Sequence, residues 1–441
     1  MTESDSISKA TLTGRRQWWR MIGPGLITAC VVFGPGSLLI SANVGATFGY
    51  DMLWLLVSTA ILMATYISMG ARIGVVGQAT PCQLIAGRLG RAAAAVVGIN
   101  LCLICTAFQF SNNLAIVAAA DTLGLARLFG DPATFSETTI NLVNSGALIL
   151  FNGLIILMVF SLRQIYRMLE KTMKVMVGVI LISFAINFVL VRPDVWEILG
   201  SLWPRRPVDI SFSLESRALI LIASLLGTTF SVAGAFFQGN LVRERGWKLA
   251  DYKSGIGDSL AGVAVLAMIS GLIMLTSGTI LRGQRADNVG VLATQLQPLL
   301  GPAAHLMFCI GLFAVAMNPF VINAMIGGAA LADGIGKAPR FSDPWPRRFT
   351  VLVLLIGMSV ALLVIHTPIQ FVDAIIFGQA MTVLGNPLMA GSMIWLANRR
   401  DIMGERRNGW GMNLLAGTGF LVVLAMAILM FLRLASRFTT T

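Results

Sequence analysis

Two short stretches of the chain combine backbone-freeing residues with small hydroxyl side chains: Phe33-Gly34-Pro35-Gly36-Ser37 and Ser231-Val232-Ala233-Gly234-Ala235. Proline removes a backbone donor and clashes with the preceding turn, while glycine gives up helix stability for conformational freedom. Both stretches lie inside long apolar runs. In lipid, freed backbone groups are tolerated only where they face protein, a cavity or a ligand. The predicted helix breaks are Gly34, Pro35 and Gly36 in the first stretch and Ala233 and Gly234 in the second. Each break creates a C-terminal half-helix end offering carbonyls, near Phe33 and Phe230. Each also creates an N-terminal end offering N–H groups and positive dipole, near Ser37 and Ala235. Two interrupted helices at corresponding places in two halves point to a transport site near the membrane midplane.

The side chains expected around these ends are polar and uncharged. Gly34, Ser37, Ser231, Gly234, Gln238 and Gln379 are the candidate substrate-binding residues, with Asn43, Thr228, Asn240 and Asn323 as further lining. Helix–helix hydrogen bonding is the alternative role for the Ser, Thr and Asn members. Such a lining suits a neutral or zwitterionic solute, or an ion that keeps its water. Asp373 precedes Gln379 by six residues and so falls about 9 Å outward along its helix. Asp51 and Asp121 map near the outer surface, and Glu170, Asp258 and Asp333 near the inner one. His305 and His366 sit near helix ends, so no buried histidine relay is visible. No residue is assigned as a metal ligand and no cofactor is called for. The absence of a nucleophile–base pair, metal cluster or phosphate loop speaks against an enzyme.

The elements that position these residues are membrane helices. Of 441 residues 56% are hydrophobic and 12% charged, against roughly 25% charged in a soluble domain. Mean hydropathy is +0.81. Runs long enough to span predict eleven helices at 21–47 (broken), 51–71, 93–126, 141–162, 172–191, 217–243 (broken), 256–281, 299–332, 348–366, 371–397 and 411–434. The net charge of +12 sits in short loops, which reads as membrane topology rather than nucleic-acid binding. With the N-terminus in the cytoplasm, Lys and Arg favour the inner segments 23 to 9, the expected positive-inside bias. An odd helix count then puts the C-terminus outside. The fold expected is an all-α integral membrane protein with a 5+5 inverted repeat whose helices 1 and 6 are broken. Residues 1–20 form a cytoplasmic tail, 21–191 and 217–397 the two repeats of a core spanning 21–397, and 398–441 a cytoplasmic loop plus helix 11. No cleavable leader is apparent, so the first apolar segment is expected to stay. The five cysteines, an odd number in or beside apolar segments, argue against a disulfide framework. The expected partners are the lipid bilayer and a small ion or solute.

Several motifs, in order along the chain, resemble the Nramp (natural resistance-associated macrophage protein) family of divalent-metal transporters, which has the leucine-transporter fold. They are GPGL at 23–26, GPGS at 34–37, FGY-x-x-LW at 48–54, Arg167-x-x-Glu170 and RPDVW at 192–196. GTT at 227–229, LVRER at 241–245, Gln379, Asn386-Pro387 and NRRDIMGERRN at 398–408 follow. The resemblance implies a secondary transporter of a multi-pass plasma (cell inner) membrane, working by alternating access. It also exposes departures. The family's DPGN reads GPGS here, so its metal-binding aspartate and asparagine fall on Gly34 and Ser37. Its MPHN falls on Ser231, Val232, Ala233 and Gly234, and a further histidine on Gln238. Its acidic pair in helix three falls on apolar positions near Leu114 and Val117, with Asn112 and Asn113 beside them. The helix-ten glutamine is kept as Gln379. A dehydrated Mn²⁺ or Fe²⁺ needs charge neutralisation and ligands matched to its softness, and both are removed. A hydrated divalent cation such as Mg²⁺, or a non-metal solute, is therefore expected. A membrane sensor that does not transport is a third reading.

Overall fold

The computed structural model describes residues 33–124, 136–160, 175, 178–179, 181–204, 213–284 and 286–439. Among these, all regular structure is helical. The first half of the first predicted helix (21–32), the tail 1–20, Arg167, Glu170 and most of segment 172–180 lie outside the described residues.

The long helices of the first half are α1 (Pro35–Phe48), α2 (Leu53–Gly77), α4 (Arg91–Thr122) and α5 (Glu137–Phe160), followed by a shorter apolar α6 (Leu181–Val191). A short α3 (Pro81–Leu89) sits between α2 and α4. The second half comprises α7 (Arg217–Thr229), α8 (Val232–Glu244), α9 (Tyr252–Ile280), α10 (Ala304–Gly334), α11 (Pro344–Ile365), α12 (Phe371–Met381), α13 (Asn386–Asn398) and α14 (Trp410–Thr439). Nine segments of the described chain are long and apolar enough to cross a membrane, α7 with α8 and α12 with α13 each counting as one. The shorter described helices α1 and α6 fall in the two remaining segments of the eleven expected, whose other residues lie outside the described ones.

Local sequence sets the helix ends. Gly34 caps α1 in an extended conformation and Pro35 opens the helix, where its missing donor costs nothing. Thr80 and Gln83 form a reciprocal capping box on α3. Ser216 caps α7 through the Leu219 N–H at 3.3 Å. The break in the sixth segment differs from expectation: α7 ends at Thr229, Phe230 and Ser231 leave helical geometry, and α8 resumes at Val232. The break is therefore at 230–231, not at Ala233 and Gly234. The Ser231 hydroxyl supplies the reason, since it accepts the Gly234 N–H at 3.3 Å and so starts a new helix.

The tenth segment, expected as one helix over 371–397, is also interrupted. A 3-10 stretch at Thr382–Gly385 separates α12 from α13. Pro387 has no N–H for the Val383 carbonyl, so the α-helical ladder cannot run through. Close packing fixes the half-helices. Gly70 and Gly74 of α2 touch the Ala235 and Gly239 carbonyls of α8, contacts that any side chain would block. Small residues four apart on both partners allow this backbone approach.

Candidate functional site

The start of α1, the interruption between α7 and α8, and α12 meet at one central cavity of about 90 Å³. Its walls come from both halves of the chain. The α1 start contributes Gly34, Gly36 and Ser37, the sixth-segment break Thr228, Ser231, Ala233 and Gly234, and α12 Gln379. Helices α4 and α10 complete it with Cys105, Phe108 and Asn112, and with Pro319, Ile322, Asn323 and Ile326. Five of the six predicted binding residues, Gly34, Ser37, Ser231, Gly234 and Gln379, thus line one space.

Gln238 does not. It lies two turns along α8 from Ser231 and donates from Nε2 to Ser259 Oγ at 3.3 Å. Two of the further lining residues are likewise turned elsewhere. Asn43 donates to the Leu39 carbonyl at 3.0 Å and accepts from Arg217 Nη2 at 3.1 Å. Asn240 donates to Asp333 Oδ2 at 3.2 Å. Thr228 and Asn323 do reach the cavity.

The two glycines at the start of α1 have different roles. A Cβ at Gly34 would have Pro319 Cγ at 3.5 Å and Asn112 Oδ1 at 3.9 Å, which is ordinary contact. A Cβ at Gly36 would collide with the Gln379 amide. Gly36 therefore lets Gln379 cross the cavity, while Gly34 leaves the space a longer side chain would occupy.

The cavity's polar chemistry is neutral. Gln379 and Asn112 are each 2% exposed, and Gln379 Oε1 and Asn112 Nδ2 have no hydrogen-bond partner. Buried polar atoms are nearly always paired, so such orphans mark places where a ligand or water supplies the missing bond. Thr228 Oγ1 is occupied by the Ser224 carbonyl at 3.0 Å. Among the described residues no carboxylate lines the cavity. Among the described residues no three His, Cys, Asp or Glu side chains converge as a metal centre.

Two side-chain clusters lie toward opposite ends of the sixth segment, one at the start of α7 and one near the end of α8. At one end Arg217 Nη2 pairs with Asp373 Oδ1 at 3.0 Å and bonds Asn43, joining α7, α12 and α1. At the other, Asp333 of α10 accepts from Asn240 of α8 and from Thr80 before α3.

Cys105, Phe108, Asn112, Pro319, Ile322 and Ile326 were not picked out as site residues from sequence. The usable signal was helical spacing: 105, 108 and 112, like 319, 322, 323 and 326, fall on single helix faces. A proline inside a spanning helix, Pro319, was the other cue.

Interrupted apolar helices around a shared polar cavity are the architecture of a membrane transporter. The chain belongs to the Nramp family: the natural resistance-associated macrophage protein-like family model matches residues 25–433. Among its relatives, the divalent metal cation transporter MntH of Verminephrobacter eiseniae is 22% identical over 419 residues, covering 91% of this chain and 87% of that protein. MntH of Deinococcus radiodurans is 24% identical over 416 residues, covering 91% and 88%. A mutant of the Eremococcus coleocola manganese transporter superposes with a TM-score of 0.72 at 19% identity, covering 95% of this chain and 87% of that one. Mhp1, a nucleobase-cation-symport-1 family transporter in a closed conformation, gives 0.54 at 12% identity, covering 94% and 93%. Both structures share the fold. The chain is a multi-pass membrane transporter with a leucine-transporter-like fold, and not an enzyme.

Proposed function

We propose that this protein carries a divalent cation across the plasma membrane by alternating access, and that the ion enters the cavity with part of its water shell. Mg²⁺ is the example that fits. The observation that carries the reading is the neutral, oxygen-bearing lining of a cavity of about 90 Å³. At about 30 Å³ per water, that space holds the equivalent of about three waters. Ser37 Oγ, Gln379 Oε1 and an amide oxygen of Asn112 or Asn323 offer three protein ligands, and about three retained waters complete an octahedron. Mg²⁺ demands octahedral geometry and sheds water reluctantly, so a site that leaves it partly hydrated suits it. The relatives named for divalent metal cation transport support the class of cargo. The lost carboxylate and thioether positions, Gly34 and Ser231, argue against stripped Mn²⁺ or Fe²⁺. The 23-to-9 distribution of basic residues supports a cytoplasmic N-terminus, an external C-terminus and an inner side that carries Asp333. The Arg217–Asp373 contact then closes the outer side.

A second reading is a small neutral or zwitterionic solute. The unpartnered Asn112 Nδ2 donor and the N-terminal ends of α1 and α8 favour it, because both repel a cation and attract an acceptor.

The test is calorimetry of the purified full chain with Mg²⁺ and Mn²⁺, followed by uptake of each into proteoliposomes. Mg²⁺ binding at least as tight as Mn²⁺, with Mg²⁺ uptake, is expected. Tight Mn²⁺ binding with uptake would overturn the cargo assignment. No response to either ion, with a solute that raises the melting temperature, would establish the second reading.

A further inference from the structure

One carboxylate is enclosed far from the cavity lining. Among the described residues Asp333 is the only buried Asp or Glu, at 1% exposure. Its Oδ1 accepts from Thr80 Oγ1 at 2.9 Å and its Oδ2 from Asn240 Nδ2 at 3.2 Å. The three residues belong to three separate elements: the turn before α3, the half-helix α8 and the end of α10. Among the described residues no Lys or Arg pairs with this carboxylate. Arg91 is exposed; its guanidinium hydrogen-bonds the Asp333 main-chain carbonyl at 3.4 Å and acts on the carboxylate only through space. Thr80 and Asn240 are each 7% exposed, and Asn240 Oδ1 has no hydrogen-bond partner.

An enclosed carboxylate that forms no ion pair is costly in a membrane protein, and such groups usually mark an ion path. A half-turn of the Asn240 amide exchanges its nitrogen for its oxygen. The carboxylate would then be flanked by two neutral oxygens, those of Thr80 and Asn240. That set carries a single negative charge, which one monovalent cation neutralises and a divalent one overshoots. We infer that Asp333, Asn240 and Thr80 form a binding site for a monovalent cation, either a proton or Na⁺, separate from the cargo cavity. The bound cation holds α8 against α10 at the inner end. Because α8 begins at the cavity with Ser231 and runs about 14 Å to Asn240, occupancy of this site is transmitted along one rigid half-helix. Its role as a coupling site rests on the transport reading, but the binding itself does not.

The titratable groups facing Asp333 are the Cys82 thiol on α3 and the Arg91 guanidinium on α4; α8 presents only an amide. The test is thermal melting of the full chain in detergent, without divalent ions and at constant ionic strength. Na⁺ is exchanged for choline, and separately the pH is varied from about 8 to 5. A bound cation raises the melting temperature by about 1–2 °C per tenfold rise in its concentration above its Kd. Asp333→Asn is expected to abolish that rise, in Na⁺ if the ion is Na⁺, in pH if it is a proton. Cys82→Ala is expected to retain it. Should Asp333→Asn fail to fold, Thr80→Val and Asn240→Leu keep the carboxylate while removing one oxygen each, and both are expected to weaken the response. Equal responses in the wild type and all variants would overturn the site, as would loss in Cys82→Ala alone. None of these readouts involves cargo or flux, so failure here leaves the transport reading standing, and failed Mg²⁺ uptake leaves this site standing.

Discussion

Replacing Gly34 by aspartate tests whether the cavity was stripped of metal affinity by side chain alone. The structure makes room for the change: the nearest atoms to a Cβ there are at 3.5 Å. The backbone, at φ −105° and ψ 170°, is the extended geometry that an N-cap aspartate adopts without strain. A carboxylate about 4 Å from a unit charge is worth about 4 kcal/mol at an effective dielectric of 20, hence about 8 for a divalent ion. Desolvating the carboxylate removes several kcal/mol of that. The remainder, about 1.4–3 kcal/mol, is about a ten- to hundredfold gain in Mn²⁺ affinity. Calorimetry on Gly34→Asp, and on the triple variant with Ser37→Asn and Ser231→Met, reads the gain directly. The triple variant is expected to exceed the single one, since it adds a carbonyl and a thioether ligand. Without metal, the single variant should melt lower than wild type, because its carboxylate is enclosed and uncompensated. A folded triple variant with unchanged Mn²⁺ affinity would refute the reasoning. It would mean that the half-helix ends, and not only the side chains, have moved out of coordinating position.

Three further outcomes follow from the contacts. Gly36→Ala should push the Gln379 amide out of the cavity at little cost in melting temperature, because the displaced atoms end a flexible side chain. Cargo affinity should fall by about tenfold, the worth of one hydrogen bond to a charged group, and an unchanged affinity would remove Gln379 from the site. Asp373→Asn should loosen the Arg217 end of the bundle. A cysteine placed at Ser37 should then react severalfold faster with an external thiol reagent, while an unchanged rate would show that this ion pair is not what closes that end. Asp401 lies on the exposed connector after α13, where hydrogen bonds from Arg399 and Arg88 hold its carboxyl below the usual carboxylate range. A depressed folded-state value contributes stability above the unfolded pKa of about 3.9 and loses it as pH falls below. The melting difference between wild type and Asp401→Asn should therefore be flat from pH 5 to 8 and shrink only under more acid conditions; a slope within that window would contradict the pairing.

What the sequence showed about the site was its backbone, and what it concealed was which side chains face inward. Gly34-Pro35 announced the start of α1, since proline is tolerated in a helix mainly at its first turn. Gly234 drew the second break two or three residues too far along, since glycine marks freedom but Ser231, by capping, sets where α8 begins. In a soluble helix the faces of α4 and α10 that line the cavity would stand out against a polar opposite face. Here lipid-facing and protein-facing sides are both apolar, so Cys105, Phe108, Pro319 and Ile322 carried no contrast, and only Asn112 and Asn323 interrupted the pattern. Helical depth was the other missing coordinate. Gln238 shares an approximate face with Ser231, yet seven residues at about 1.5 Å each carry it about 10 Å beyond the cavity. Asn43 and Asn240 stray the same way, toward opposite ends, and become partners of Arg217 and Asp333. The charges set aside as helix-end residues, Asp373 and Asp333, thus link neighbouring helices away from the cavity. A neutral cavity with charged clusters beyond it separates the residues that line the cavity from those that tie the helices together, so a change of lining need not disturb the helix contacts.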